Sequence, residues 1–192
     1  MREDLQIIMV TADKCYFETP YESLITMKLY LACQMAKDSD WVKYYNFELL
    51  PINHETLRKA DGFLKALYHA HPYEAGVIRL QPNTYYDWHV DDRRGVSVNM
   101  LINHGHSHCL FKKSSNTLED AVTGEFYELN YQRGIYYFFN NQVEHSVYNY
   151  EGVRYLLTLE FQEDKDKLNF KSLTEEWRNG RWRKRHQSKA NK

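Results

Sequence analysis

From Glu74 to Phe161 the sequence falls into short segments rich in Val, Ile, Tyr and Phe, spaced roughly ten residues apart by turn-forming stretches. Gly76–Leu80, Tyr85–Asp91, Val96–Asn103, His108–Lys112, Gly124–Tyr131, Ile135–Phe139, Val143–Asn149 and Val153–Phe161 each have strand length and β-branched or aromatic content. Gln81-Pro82-Asn83 and Asp92-Arg93-Arg94-Gly95 supply the sharpest breaks. Helical segments come first and strands later, with no βαβ alternation, which argues against a doubly wound fold. The pattern predicts a mainly β chain with flanking helices, its short strands closed into a jelly-roll barrel. The last two segments, joined at Tyr150-Glu151-Gly152, are expected to form a hairpin.

Ahead of this core the periodicity turns helical. Leu24, Met27, Leu29, Tyr30, Leu31 and Met35 predict a helix over Tyr21–Ala36, with Pro20 as its start signal. A second helix is expected from Glu55 to about His69, capped by Asn53, with Leu57, Ala60, Phe63, Leu64 and Leu67 as its apolar stripe. Leu5–Val10 reads as a strand or an edge. The resulting division is a supporting region over 1–72, a barrel over 73–163 and a basic, partly disordered tail over 164–192.

The formal charge is only −1, but Lys171–Lys192 carries eight Lys or Arg against Glu175 and Glu176. Trp177, Arg178, Arg181, Trp182, Arg183, Lys184 and Arg185 interleave rings and positive charge, as nucleic-acid-binding segments do and as solvated termini also do. Cys15, Cys33 and Cys109 are odd in number and widely spaced, the usage of reduced thiols rather than of a disulfide framework. Met1-Arg2-Glu3-Asp4 has no signal pattern and no apolar run reaches membrane-spanning length, so a cytoplasmic protein without a membrane partner is expected.

The chemistry concentrates in His89-Val90-Asp91 and two later residues, His145 and Arg154. On a strand, residues two apart share a face, which brings His89 and Asp91 together. With His145 they make two imidazoles and a carboxylate, a set that covers one face of Fe(II) and leaves the opposite positions open. Arg154 interrupts an otherwise apolar strand and needs an anionic partner, because a buried unpaired charge costs several kcal/mol or more. That partner is either a ligand carboxylate or an acidic side chain of the protein. By the same alternation Tyr85 and Asp87 share the face of His89 and Asp91, and Asn99 and Leu101 share one face of the next strand.

His-x-Asp, then His about fifty residues on, then Arg about ten further, resembles the 2-oxoglutarate- and Fe(II)-dependent oxygenases. Gly134 to Val147 (a glycine, an apolar strand, Phe139, a turn, His145 and Val147) is similar to the same family. The resemblance implies a double-stranded β-helix in which His89, Asp91 and His145 bind Fe(II). Arg154 would hold the far carboxylate of 2-oxoglutarate, with Asn99 and Tyr85 as further cofactor contacts. A hydroxylase would couple substrate oxidation by O2 to decarboxylation of 2-oxoglutarate to succinate. Arg79–Thr84, Trp88–Asp91 and Ser97–Ile102 look like the aspartyl/asparaginyl β-hydroxylases, which would make the substrate a protein side chain. That group commonly has Arg-x-His where this chain has Ser97-Val98-Asn99, and commonly lacks the carboxylate that Asp91 supplies. The ligand set suits a prolyl-hydroxylase-like enzyme equally.

Two alternatives stand beside it. His104, His106 and His108 share a strand face and would suit Zn or Ni, or the His-x-His of a cupin completed by His145 and Asn149. Against the cupin pattern, Lys112 and Lys113 occupy the region where a Glu is needed, and Asn140-Asn141-Gln142 the region of Pro-x-Gly. The other alternative is a non-catalytic jelly-roll binding module.

Overall fold

The structure is a computed structural model and describes residues 11–103, 105–113 and 125–180. A single turn α1 (Ala12–Cys15) leads into β1 (Tyr16–Glu22), then α2 (Thr26–Met35), β2 (Val42–Tyr44), β3 (Phe47–Ile52), α3 (His54–Ala60) and α4 (Gly62–Ala70). Next come β4 (Tyr73–Leu80), β5 (Thr84–His89), β6 (Val96–Leu101), β7 (His106–Lys112), β8 (Phe126–Glu128), β9 (Ile135–Asn140), β10 (His145–Glu151) and β11 (Arg154–Phe161). A final helix, α5, spans Phe170–Arg178.

The strands from β4 onward cross between two antiparallel sheets at nearly every turn. One sheet has the order β1-β9-β6-β11-β4-β3-β2, the other β5-β10-β7-β8. This winding is that of a double-stranded β-helix, as the evenly spaced segments predicted. The expected hairpin between the last two strands is absent. β10 pairs with β5 and β7, whereas β11 pairs with β4 and β6, so Glu151-Gly152 is a corner between sheets. Gly152 takes φ +67 there, a conformation that suits glycine. The buried Asn149 amide donates to the carbonyls of Leu80, Gln81 and Gly152 and ties the corner down. A short turn suits a hairpin or a corner equally, so periodicity alone did not separate them.

The first helix begins later than expected. Pro20 and Tyr21 lie in β1, whose one sheet neighbour among the described residues is β9; an edge strand tolerates a residue with no N–H. Of the apolar positions read there, Leu24, Met27, Leu31 and Met35 are exposed, and α2 packs inward through Leu29 and Cys33. The second expected helix is two. Asn53 caps α3 by accepting from the amides of Glu55 and Thr56 at 2.8 and 3.3 Å. Asp61 breaks the run and caps α4, accepting from Phe63 and Leu64 at 2.9 and 3.2 Å. The other Asp61 oxygen accepts hydroxyls of Tyr136 and Ser23 at 2.8 and 3.1 Å, so this carboxylate is fixed from two sides.

The main core lies on the outer face of the larger sheet. Val77, Met100, Phe138, Leu157 and Leu159 meet Leu57, Leu64 and Leu67 from α3 and α4 and Leu173 from α5. Each such fully buried side chain contributes about 1.5–3 kcal/mol. A partly disordered tail was expected from 164, yet α5 is helical, and Trp177 packs edge-on against Phe63 and Phe138. Trp177 is partly buried against the core. Leu5–Val10, His104, Arg181, Trp182, Arg183, Lys184 and Arg185 lie outside the described residues. Among the described residues no helix is long and apolar enough to cross a membrane. Cys15, Cys33 and Cys109 are free, and burial pushes their thiols up to about 12, 11 and 12, out of the nucleophilic range.

Candidate active site

His89 closes β5, Asp91 follows it in the loop to β6, and His145 opens β10 directly opposite His89. The two imidazole centroids are 4.2 Å apart, and His89 Nε2 lies 3.4 Å from Asp91 Oδ1. The three candidate ligand atoms lie within 4.8 Å of one another. Donors about 2.1 Å from one metal and at right angles to each other would lie about 3 Å apart, so the set is close to a coordination face. Each imidazole is oriented by a backbone carbonyl. Nδ1 of His89 meets the Asp87 carbonyl at 2.6 Å and Nδ1 of His145 meets that of Val143 at 2.8 Å. Only Nδ1–H can make those bonds, so in each neutral ring the Nε2 lone pair is left for a cation. Asp91 Oδ2 accepts from Asn141 Nδ2 at 2.6 Å and pairs with Arg94 at 2.7 Å, which leaves Oδ1 for the site.

Charge follows from these contacts. Burial, then the neighbouring His89, pushes His145 down to about 4, so it is neutral at pH 7. Burial also pulls His89 down, but the hydrogen bond to Asp91 and the Asp87 carbonyl outweigh it and its pKa stands above the usual value. Asp91 is pulled up by burial, yet His89 and Arg94 together hold it below the usual carboxylate range.

Strand alternation placed Tyr85 and Asp87 on this face, and the structure places them elsewhere. The register runs from His145↔His89 to Val147↔Tyr86, three residues on β5 against two on β10. A bulge at Asp87-Trp88 therefore inverts the pattern. Tyr85 is 49% exposed and stacks on Tyr148 outside the barrel. Tyr86 takes its place, lining the cavity with its ring 4.2 Å from that of His89. The one local hint was Asp87, whose carboxylate accepts from the Trp88 amide at 2.8 Å, a turn-type contact inside a strand.

Between the sheets lies a cavity of about 90 Å³, bordered by His89, His145 and Val147 on one side and Asn99, Arg154 and Leu156 on the other. Arg154 is 3% exposed, its Nε has no hydrogen-bond partner, and no carboxylate among the described residues pairs with it. Arg79, on the outer face, shows the contrast: its Nε donates to Glu48 at 2.6 Å and it pairs with Asp38 as well. The Tyr131 ring lies 5.6 Å from the Arg154 guanidinium carbon, and Asn99 Nδ2 donates to the Tyr131 hydroxyl at 3.5 Å. The Asn99 Oδ1 is buried without a partner, and Asn99 lines the cavity as expected. Tyr131 was expected to end a strand over Gly124–Tyr131, but the described strand stops at Glu128 and Tyr131 lies in the irregular stretch beyond it, so strand alternation did not mark it as a site residue.

The second histidine group does not join this centre. His106 and His108 surround Tyr150, and His108 Nδ1 bonds Glu128. His108 is the register partner of Tyr148, whereas the site residue Val147 pairs with Cys109, so His106 and His108 face away from His145. The Asn149 amide is committed to the corner. The cupin set is therefore not assembled. Among the described residues, His89, Asp91 and His145 are the one group of three His, Cys, Asp or Glu placed for a metal ion.

No protein-family model matches the chain, and no curated protein matches it in sequence. Its fold has counterparts among solved structures. A prolyl-4-hydroxylase from Pseudomonas putida has a TM-score of 0.57 at 15% identity, over 76% of this chain and 91% of that one. A prolyl hydroxylase from Trichoplax adhaerens, in complex with a hypoxia inducible factor peptide fragment, has 0.56 at 12%, over 80% and 84%. HygX from Streptomyces hygroscopicus, with nickel, 2-oxoglutarate and hygromycin B bound, has 0.55 at 11%, over 79% and 87%. The chain is similar to these proteins in fold.

Proposed function

We propose that this chain is an Fe(II)- and 2-oxoglutarate-dependent dioxygenase that hydroxylates its substrate, with residues 73–163 as the catalytic core. The observation that carries the reading is Arg154, a buried guanidinium without an anionic partner in the same cavity as a His-Asp-His triad. Such a charge costs several kcal/mol until a carboxylate joins it. A dicarboxylate fits both ends of this cavity: two-pronged hydrogen bonds at the guanidinium, oxygen donors at a metal.

In this reading His89 Nε2, Asp91 Oδ1 and His145 Nε2 would hold Fe(II). Arg154 would hold the far carboxylate of 2-oxoglutarate, with the Tyr131 hydroxyl and Asn99 beside it. With metal, co-substrate and O2 bound, the centre supplies oxidative decarboxylation of 2-oxoglutarate to succinate and CO2, and one oxygen atom passes to a substrate C–H bond. The chain's own tasks are positional. Arg94 and Asn141 engage Asp91 Oδ2 and would leave Oδ1 as the donor to a metal. Val147, Phe139, Ile78 and Leu156 keep the cavity dry, which strengthens every charge interaction inside it. A protein side chain such as Pro or Asp/Asn is the substrate class the resemblance points to, and the peptide fragment in complex with the Trichoplax hydroxylase supports a peptide substrate.

The test is succinate formation by the purified protein given Fe(II), 2-oxoglutarate and O2. Slow turnover is expected even without the true substrate, and His145→Ala should abolish it. Equal turnover in His145→Ala would refute the reading.

A further inference from the structure

Helix α2 is apolar on its outer side as well as its inner one. Thr26–Met35 carries a single charge, Lys28. A helix that is apolar all round is normally covered all round. The inner side is covered. Leu29 and Cys33 enter the main core, Tyr30 meets Tyr155 edge-on at 6.2 Å, and Gln34 Nε2 donates to the Tyr155 hydroxyl at 3.2 Å. These contacts fix the helix about its axis and so fix what it turns outward. Met27, Leu31 and Met35 lie there in a row at i, i+4 and i+8, with Leu24 just ahead of the helix, and all four are between 51 and 88% exposed. Neighbours in such a row are about 6 Å apart, so the four make one stripe roughly 16 Å long. Single exposed apolar residues are ordinary on a protein surface, whereas a contiguous stripe marks a contact.

The charges at its two ends point to what covers it. Glu22 stands two positions before Leu24 and Lys37 two positions after Met35, and both are exposed. Neither has an ion pair among the described residues. A stripe with an acid at one end and a base at the other is complementary to itself when run antiparallel. A second copy, turned through a two-fold axis at the midpoint of the stripe, sets Leu24 against Met35 and Glu22 against Lys37, each twice. Met27 and Leu31 lie on either side of that midpoint and interdigitate with their counterparts. The same order sets each helix N-terminus beside the other copy's C-terminus, the favourable alignment of helix dipoles. Lys28, at the border of the stripe, can lay its stem along it and keep its ammonium in water.

We infer that this chain forms a two-fold dimer through α2, with Leu24, Met27, Leu31 and Met35 at the centre of the interface and Glu22–Lys37 pairs at its two ends. One helix face is smaller than a standard interface of about 800 Å² per partner, so the dimer forms in the micromolar range. None of these six residues borders the cavity between the sheets, and the inference is independent of the chemistry proposed there.

The test is sedimentation velocity of the purified chain from about 1 to 200 μM, a range that brackets such an affinity. The chain should pass from monomer to dimer across it. Leu31→Glu changes an exposed position outside the monomer's core, so it should stay monomeric while its melting temperature at low concentration holds. Glu22→Lys and Lys37→Glu should each weaken association about three- to tenfold. The double exchange, Glu22→Lys with Lys37→Glu, should restore it to within about twofold of the original. Two independently solvated charges would show no such recovery, and the recovery also establishes the antiparallel order. A dimer untouched by Leu31→Glu, no response to either single exchange, or no recovery in the double exchange overturns the inference. So does a chain that is monomeric throughout, a result that assigns the stripe to a different protein.

Discussion

His145 and Arg154 are nine residues apart in the chain, yet they face one cavity from two different sheets. The corner at Glu151-Gly152 makes this possible: it ends β10 in the sheet that carries His89 and starts β11 in the opposite one. One short stretch thus carries both the candidate metal ligand His145 and the candidate anion anchor Arg154, on opposite walls of the cavity.

Arg154→Gln separates an anchor from a structural ion pair. Loss of a charge-assisted hydrogen bond costs about 1.5–3 kcal/mol, so the KM for 2-oxoglutarate should rise about ten- to a hundredfold. The melting temperature should hold or rise, because the charge removed had no partner in the protein. A large loss of stability with an unchanged KM would mean that Arg154 is structural.

Asn141→Leu removes the amide that holds Asp91 Oδ2 while keeping similar bulk. Groups that orient a metal ligand are typically worth about ten- to a hundredfold in metal affinity, and a loss of that size is expected in a Zn(II) competition titration. Unchanged affinity would show that Arg94 positions Asp91 alone.

Metal binding should release one proton per ion near pH 6, not two. His145, pushed down to about 4, is already neutral there, whereas His89, raised above its usual value, still carries a proton that the metal must displace. Affinity therefore falls about tenfold per unit as pH drops below the His89 pKa, and the second proton competes only near pH 4. Calorimetry in buffers of different ionisation enthalpy counts the protons, and two released at pH 6 would contradict the assigned charges.

Asn149→Ala should loosen the corner. It deletes two N–H donors shared among three carbonyls in a buried setting, and at about 1 kcal/mol per donor the expected cost is about 2 kcal/mol. Urea unfolding measures it, and a cost below about 0.5 kcal/mol would show that the turn holds itself.

The barrel was legible because strand length, β-rich composition and spacing survive in any single sequence, and because His89-x-Asp91, His145 and Arg154 are chemically conspicuous. What periodicity does not encode is which sheet a strand joins, so β10 and β11 read as a hairpin. A one-residue bulge reversed the faces of Tyr85 and Tyr86, and only Asp87 hinted at it. Asp61 broke a helix whose apolar stripe ran straight through, since a cap matters at a single position. β2 and β3 passed unnoticed because their side chains are mostly exposed or half-buried and show no clean alternation. The basic composition of the C-terminus masked the apolar face of α5, where Phe170, Leu173 and Trp177 meet the core.

The central claim is that His89, Asp91 and His145 hold Fe(II) in one cavity with a 2-oxoglutarate anchored by Arg154. An anaerobic titration of the metal-free protein with Fe(II) and then 2-oxoglutarate tests it most directly. A visible metal-to-ligand charge-transfer band is expected that needs both additions, disappears in His145→Ala and demands more 2-oxoglutarate in Arg154→Gln. Fe(II) binding without a band, or a band of equal strength in His145→Ala, would contradict it.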